Sequence, residues 1–113
     1  MDHPTRKEVL LLGRLSTAPQ ERELPSGDVI VTFRVVVDRP APRKGEVASR
    51  VTVDALECVA RTAVTRRSLL SWQPGDLVEA EGALRRRFWR APGGLASRYE
   101  VEVTRARRIA KAA

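Results

Sequence analysis

Residues 77–90 read LVEAEGALRRRFWR, and the alternation of their side chains predicts a β-strand. Because successive side chains of a strand point to opposite faces, residues of the same parity share a face. The even-numbered residues begin small and apolar, so we assign to the core Val78, Ala80, Gly82, Leu84, Arg86 and Phe88, with Arg86 near the far end where it can reach solvent. The outer face then carries Leu77, Glu79, Glu81, Ala83, Arg85, Arg87 and Trp89. A bulge at Gly82 would reverse these faces beyond it.

Four further stretches have strand character, and one has helical spacing. The other strands are predicted at residues 8–15, 29–38, 50–60 and 98–109. Residues 62–72 predict a short helix that Thr62 can cap and that Trp72 can anchor by packing. Five strands with one helix between the third and the fourth is the order of an OB-fold. We therefore predict an all-β, five-stranded Greek-key barrel.

The same parity rule sorts the side chains of the other strands. The core is predicted to contain Val29, Val31, Phe33, Val35, Val37, Leu56, Cys58, Ala60, Tyr99, Val101 and Val103. The outer face is predicted to carry Thr32, Arg34, Val36, Ala55, Glu57, Val59, Arg61, Arg98, Glu100, Glu102 and Thr104.

The chain length predicts a single domain, because 113 residues are enough for one modest hydrophobic core and too few for two. We expect residues 1–7 to form a flexible N-terminal tail, residues 8–109 the OB-fold domain, and residues 110–113 a short C-terminal end. No apolar run is long enough to span a membrane, and the N-terminus lacks an apolar signal core, which predicts a cytoplasmic protein.

The net charge of +7 is unevenly distributed. Residues 1–60 carry nine basic and nine acidic side chains, whereas residues 61–113 carry twelve basic and five acidic ones. Eighteen of the 21 basic residues are arginine, which forks onto phosphate and stacks on flat rings. A GC-rich genome would explain the excess of arginine over lysine, but it would not explain the asymmetry of charge. The distribution therefore favours a nucleic-acid partner for the C-terminal half.

The sequence predicts a binding protein and not an enzyme. Cys58 is the only cysteine and His3 the only histidine, so no paired nucleophile and base are present, and Cys58 is expected to be a buried small side chain. There is no phosphate-binding glycine loop and no metal-ligand cluster, so no cofactor or metal is expected. The outward glutamates of the last two strands are expected to pair with arginines across the sheet.

Several segments together resemble the bacterial single-stranded DNA-binding protein (SSB) family. They are EVLLLGRLSTAPQERELPSGDVIVTFRVVVDR at residues 8–39, ECVARTA at 57–63, QPGDLVEAEGALRRRFW at 73–89 and SRYEVEV at 97–103. The resemblance covers about residues 8–109 and implies an OB-fold that binds single-stranded DNA without sequence preference, in DNA replication, recombination and repair. It also implies a homo-oligomer, with a tetramer favoured and a dimer possible, in the nucleoid of a bacterial cytoplasm.

The resemblance implies DNA contacts along the outer sheet face and in three loops, at about residues 16–28, 39–50 and 90–98. A single strand is held by a basic groove and by aromatic rings that stack on its bases. We therefore predict a nucleic-acid-binding set of Arg34, Arg61, Arg85, Arg87, Trp89, Arg90 and Arg98.

The chain departs from the family pattern in its aromatic residues. Trp89 stands where one stacking ring is expected, but the other three expected rings fall near Ala41, on Ala55 and on Arg61. Glu57 stands where a basic residue is usual. The chain also ends at Ala113 without the family's acidic tip, so recruitment of repair proteins through such a tip is not expected.

Three other interpretations remain open at the level of sequence. A diverged paralogue could serve as a primosome-type assembly module, or as the partner of a full-length homologue, with weak binding of DNA or RNA. The missing rings favour that interpretation, and the charge asymmetry argues against it. The same fold could also prefer RNA, or could be the DNA-binding core of something longer.

Overall fold

The computed structural model describes residues 3–113 and contains six strands and one helix. In chain order they are β1 (Glu8–Leu15), β2 (Gln20–Glu23), β3 (Val29–Asp38), β4 (Val53–Ala60), α1 (Ala63–Leu69), β5 (Leu77–Ala91) and β6 (Gly94–Ala110). Five strands pair in a closed ring in the order β1, β5, β6, β4, β3 and back to β1, and β2 extends the sheet beside β3. All pairs are antiparallel except β4 with β6. The predicted five-stranded OB-fold barrel, with one helix after its third strand, is confirmed.

The barrel closes through a short contact between β1 and β3. Arg14 and Leu15 pair there with Val36 and Val35, and the rest of β1 pairs with β5. Gly13 allows this close approach, because a Cβ at that position would collide with the carbonyl oxygen of Val36. The sheet therefore bends sharply where β1 leaves one neighbour for the other.

The predicted strand bounds hold for β1 and β3 and differ elsewhere. The strand predicted from residue 50 begins at Val53, and the helix ends at Leu69 instead of residue 72. Thr62 caps that helix as expected, because its Oγ1 accepts a hydrogen bond from the Thr65 amide at 3.3 Å. The predicted loop at 16–28 contains β2, whose four exposed polar residues have no apolar alternation that would reveal a strand.

The core lies inside the ring and is built mainly from the predicted apolar positions. Trp72 packs against it behind the helix, with its ring edge-on to Phe33 at 5.6 Å between centroids, as its predicted packing role requires. Cys58 is also buried, as predicted. The buried positions of the predicted set are Val31, Phe33, Val35, Cys58, Ala60, Val78, Ala80, Val101 and Val103.

The predicted core positions of β5 beyond Gly82 are wrong, and so is the prediction for Tyr99 in β6. Leu84, Phe88 and Tyr99 are exposed, because β1 pairs with β5 only as far as Ala83 and no other strand covers the later residues of β5 on that side. On the other side, β4 pairs only with residues 101–103 of β6. Residues 84–99 therefore leave the barrel as a two-stranded projection with solvent on both faces, which we call the arm.

The arm also replaces the predicted loop at residues 90–98. Ala91 pairs with Gly94, and only Pro92 and Gly93 lie between the strands. Gly93 and Gly94 have φ values of 92° and 133°, which side chains disfavour, so this Pro-Gly-Gly stretch permits a tight hairpin.

A bulge does occur beside Gly82, but its extra residue belongs to the partner strand. Glu81 pairs with Arg105 and Gly82 with Val103, which leaves Thr104 unpaired in β6. The alternation of β5 is therefore uninterrupted, and Arg85, Arg87 and Trp89 remain on one face.

No helix in residues 3–113 is long and apolar enough to cross a membrane.

Candidate nucleic-acid interface

The outward face of the arm carries one tryptophan and three arginines, and we call it the front face: Arg85, Arg87, Trp89 and Arg98. Arg87 and Arg98 are directly opposite each other in the β5–β6 ladder. Their guanidinium carbons lie 5.9 and 6.0 Å from the centroid of the Trp89 ring. Within residues 3–113, neither arginine has a carboxylate at ion-pair distance. Because like charges opposite each other disfavour a sheet, this arrangement suits an anionic ligand with flat rings.

Arg85 of the front face and Arg61, another arginine of the predicted set, meet at one carboxylate where the arm joins the barrel. Glu102 accepts from Arg85 Nε at 2.8 Å and lies 3.1 Å from Arg61 Nε. Both arginines remain about half exposed, whereas the glutamate is largely covered. The pair of cations is therefore held in place and partly neutralised by the protein itself.

Arg34 lies further along the same outer face and has its own acidic partner. Its Nε donates to Glu57 Oε1 at 2.6 Å, across the β3–β4 pair in which the two residues are directly opposite. A phosphate that binds Arg34 must compete with this charge-assisted hydrogen bond.

The centre of the outer sheet face is acidic. Its glutamates were each predicted to point outward, but their grouping was not predicted. Glu57, Glu100 and Glu102 lie on β4 and β6 around Val59, and both Glu100 and Val59 are buried despite their outward parity. Burial raises the pKa of the Cys58 thiol to about 12, and the charges of Glu57 and Glu100 act in the same direction. The face therefore has basic flanks around an acidic middle.

Arg90, also in the predicted set, lies on the opposite side of the arm from Trp89. It pairs with Leu95 in the ladder and shares its parity with Arg86 and Phe88. The structure thus gathers Arg85, Arg87, Trp89 and Arg98 on the front face, connects Arg61 to them through Glu102, and leaves Arg34 and Arg90 apart. Contact of these residues with DNA stays a prediction.

The far side of the arm carries a cluster of three side chains that was not predicted from the sequence. Arg86 lies 5.1 Å from the Phe88 ring centroid and 5.4 Å from that of Tyr99, and all three side chains are exposed. Parity placed them inside the barrel because it cannot show where the barrel ends. Arg86, a charged residue at a predicted core position, was the indication that this part of β5 lies at the surface.

The loop at residues 39–52 contributes no aromatic ring near Ala41. Arg39 closes its base, since it donates three hydrogen bonds of 2.8–3.2 Å to the Asp54 carboxylate. These hydrogen bonds lower the pKa of Asp54. Ala55, on the next strand, also offers no stacking surface, so Trp89 is the ring that remains at the expected positions. Residues 3–113 contain no group of acidic, histidine and cysteine side chains that could hold a metal.

Comparison with known proteins gives concordant results. Residues 6–109 match the model of the single-strand binding protein family. A single-stranded DNA-binding protein of Thermotoga maritima is 38% identical over 89 residues, which cover 77% of this chain and 61% of the relative. The chain therefore spans less than two thirds of that relative's length.

A solved structure, described as a Plasmodium falciparum SSB complex with ssDNA, superposes with a TM-score of 0.75 over 95% of this chain and 96% of that one. Its sequence identity of 19% makes it support for the fold alone. The family match extends from before β1 almost to the end of β6, across the whole ring of strands and the arm. The chain belongs to the single-strand binding protein family.

Proposed function

We propose that this protein binds single-stranded DNA without sequence preference through the front face of the arm. The observation that carries the proposal is that Arg87 and Arg98 both lie within 6.0 Å of the Trp89 ring centroid and that neither arginine has a carboxylate partner within the described chain. The ring is 38% exposed, so a base can stack on it while the arginines contact the adjoining phosphates. Family membership supports a role in binding and not in catalysis.

The strand would continue from the arm toward Arg85, Arg61 and Arg34. Each of these arginines must exchange a carboxylate for a phosphate, so their net gain on binding is smaller than that of Arg87 or Arg98. A protein that relies on one ring and several arginines should bind with a strong dependence on salt, because phosphate contacts release counterions.

Binding of single-stranded DNA would place the protein in DNA metabolism. We infer roles in DNA replication, recombination and repair, in the cytoplasm and nucleoid of a bacterium. A homo-oligomer is supported by Leu10 and Leu12, which are 65% and 53% exposed on the outward side of β1. A tetramer is favoured and a dimer is the alternative. Residues 8–109 would act as the DNA-binding domain.

A second candidate function is an assembly module with weak binding of DNA or RNA. The acidic middle of the outer face favours it, because Glu57, Glu100 and Glu102 lie where a strand would cross from the arm to β3. Native mass spectrometry with a full-length homologue would detect such a partner. Preference for poly-U over poly-dT would indicate RNA.

Substitution of Trp89 tests the main proposal. Trp89→Ala should weaken poly-dT binding by about 1–3 kcal/mol at fixed salt, the contribution of one stacked base, whereas Trp89→Phe should retain part of it. Quenching of tryptophan fluorescence by poly-dT should disappear in both variants, because the remaining Trp72 is buried. Poly-dT binding by Trp89→Ala equal to that of the wild type would refute the stacking role. Absence of binding by the wild type at low salt would refute the function.

A further inference from the structure

The side of the arm opposite Trp89 is an exposed surface with two rings, and we call it the back face. It consists of Leu84, Arg86, Phe88, Arg90, Leu95, Ser97 and Tyr99. Phe88 and Tyr99 are 55% and 60% exposed and lie on the same face, and adjoining exposed apolar side chains are typical of interaction sites. Nothing in the barrel covers this face, because the arm extends beyond the neighbouring strands.

Arg86 organises the centre of the back face. Its guanidinium group lies 5.1 Å from the Phe88 centroid and 5.4 Å from the Tyr99 centroid, within the range of cation–π attraction. Its Nε and Nη2 donate to Ser97 Oγ at 3.3 and 3.0 Å, which fixes the side chain between the two rings. The cluster is therefore a preformed surface and not three independent side chains.

The charge of the back face selects the chemistry of its partner. Arg86 and Arg90 are both on it, no acidic residue is, and within residues 3–113 neither has a carboxylate at ion-pair distance. A second copy of the same face would bring like charges together. A ligand with both phosphates and flat bases matches the two arginines and the two rings.

We propose that the back face is a second contact surface for single-stranded nucleic acid, reached when a strand passes around the tip of the arm. This inference rests on the proposed function, since the front face holds the first part of the same strand. The tip is narrow, with Pro92 and Gly93 alone between the paired residues, so a flexible single strand can follow it from Trp89 to Phe88 and Tyr99. The arm would then bind one strand on both of its faces.

The test compares two lengths of dye-labelled oligo-dT by fluorescence anisotropy. Lengths of about 4 and about 16 nucleotides represent the two ends of the site sizes known for one OB-fold. The variants are Phe88→Ala/Tyr99→Ala for the back face and Trp89→Ala for the front face. Val64→Ala, an exposed apolar residue of α1, serves as the matched control.

We expect the double variant to bind the short strand like the wild type and the long strand at least about 5-fold more weakly, as the loss of one stacked base requires. Trp89→Ala should weaken both lengths, and Val64→Ala neither. Ultraviolet cross-linking of a long strand with halogenated uracil should attach it to Phe88 or Tyr99 as well as to Trp89.

Three results would overturn the inference while leaving the front face intact. One is wild-type affinity of the double variant for both lengths, and another is an equal loss at both lengths. The third is a change of solution mass in the double variant, which would make the back face a protein interface. Failure of the wild type to bind either length would instead remove the proposed function and this inference with it.

Discussion

Glu102→Gln should strengthen DNA binding at low salt and make it more sensitive to salt. Glu102 holds Arg85 at 2.8 Å and Arg61 at 3.1 Å, and the amide removes the charge with little change of shape. Two guanidinium groups then become available to phosphates. Each additional phosphate contact on a single strand steepens the dependence of log K on log salt by about 0.7, so two add about 1.4. Over a fourfold rise in salt, the variant should lose about seven-fold more affinity than the wild type.

The assay is a titration of oligo-dT at several sodium chloride concentrations, with thermal unfolding as a check on integrity. Loss of the two pairs should cost no more than about 1 kcal/mol each, because both arginines are about half exposed. Glu79→Gln is the matched control, since it changes the net charge equally and removes the partner of Arg107, 3.5 Å away, outside the interface. Equal salt slopes for the two variants would refute the reasoning, because net charge alone would then explain the effect.

Three further predictions concern the barrel. Gly82→Ala should destabilise the protein severely, as seen by urea unfolding, because a Cβ there would collide with the backbone of Glu102; stability near that of the wild type would show that the bulge can shift. Cys58 should resist thiol reagents at pH 8 until the protein unfolds, since its pKa of about 12 leaves almost no thiolate; rapid native labelling would contradict its burial. Hydrogen bonds from the amides of Gln73 and Ala112 lower the pKa of Asp76 in the folded state. The ionised carboxylate therefore stabilises the fold above about pH 4, the pKa of an unfolded aspartate, and this stabilisation is lost as the pH falls through the lower pKa of the folded state. The advantage of wild type over Asp76→Asn in urea unfolding should therefore shrink toward acid pH, and a constant advantage would point to another cause.

The local predictions from sequence succeeded where alternation was strong. β3 has the predicted bounds because VIVTFRVVVD alternates over ten residues, and Thr62 caps the helix because a hydroxyl at that position satisfies a free amide. The failure at β2 has the opposite cause. Its sequence QERE carries no apolar face, and it is a strand because β3 offers a free edge to pair with.

The front face could be predicted from sequence, since strand parity alone put Arg85, Arg87 and Trp89 on one side. Its ion pairs were predicted in part, because the outward glutamates of the last two strands were expected to pair with arginines, as Glu102 does with Arg85 and Glu79 with Arg107. The sequence could not show that Glu57 and Glu102 reach Arg34 and Arg61, because those contacts depend on which strands lie side by side. Parity also could not place Arg90 relative to the barrel, and it put Phe88 inside.

The sequence by itself determined the order of the five strands of the ring, the helix, the basic C-terminal half and the alternation that aligns Trp89 with its arginines. These properties depend on neighbours along the chain, so local patterns contain them. Tertiary structure alone decided where the barrel ends and the arm begins, because burial depends on which strands lie alongside. The pairing of β1 with β5 stops at Ala83, and the pairing of β4 with β6 stops at Val101. The same alternating pattern therefore fills a core before Gly82 and forms two exposed faces beyond it.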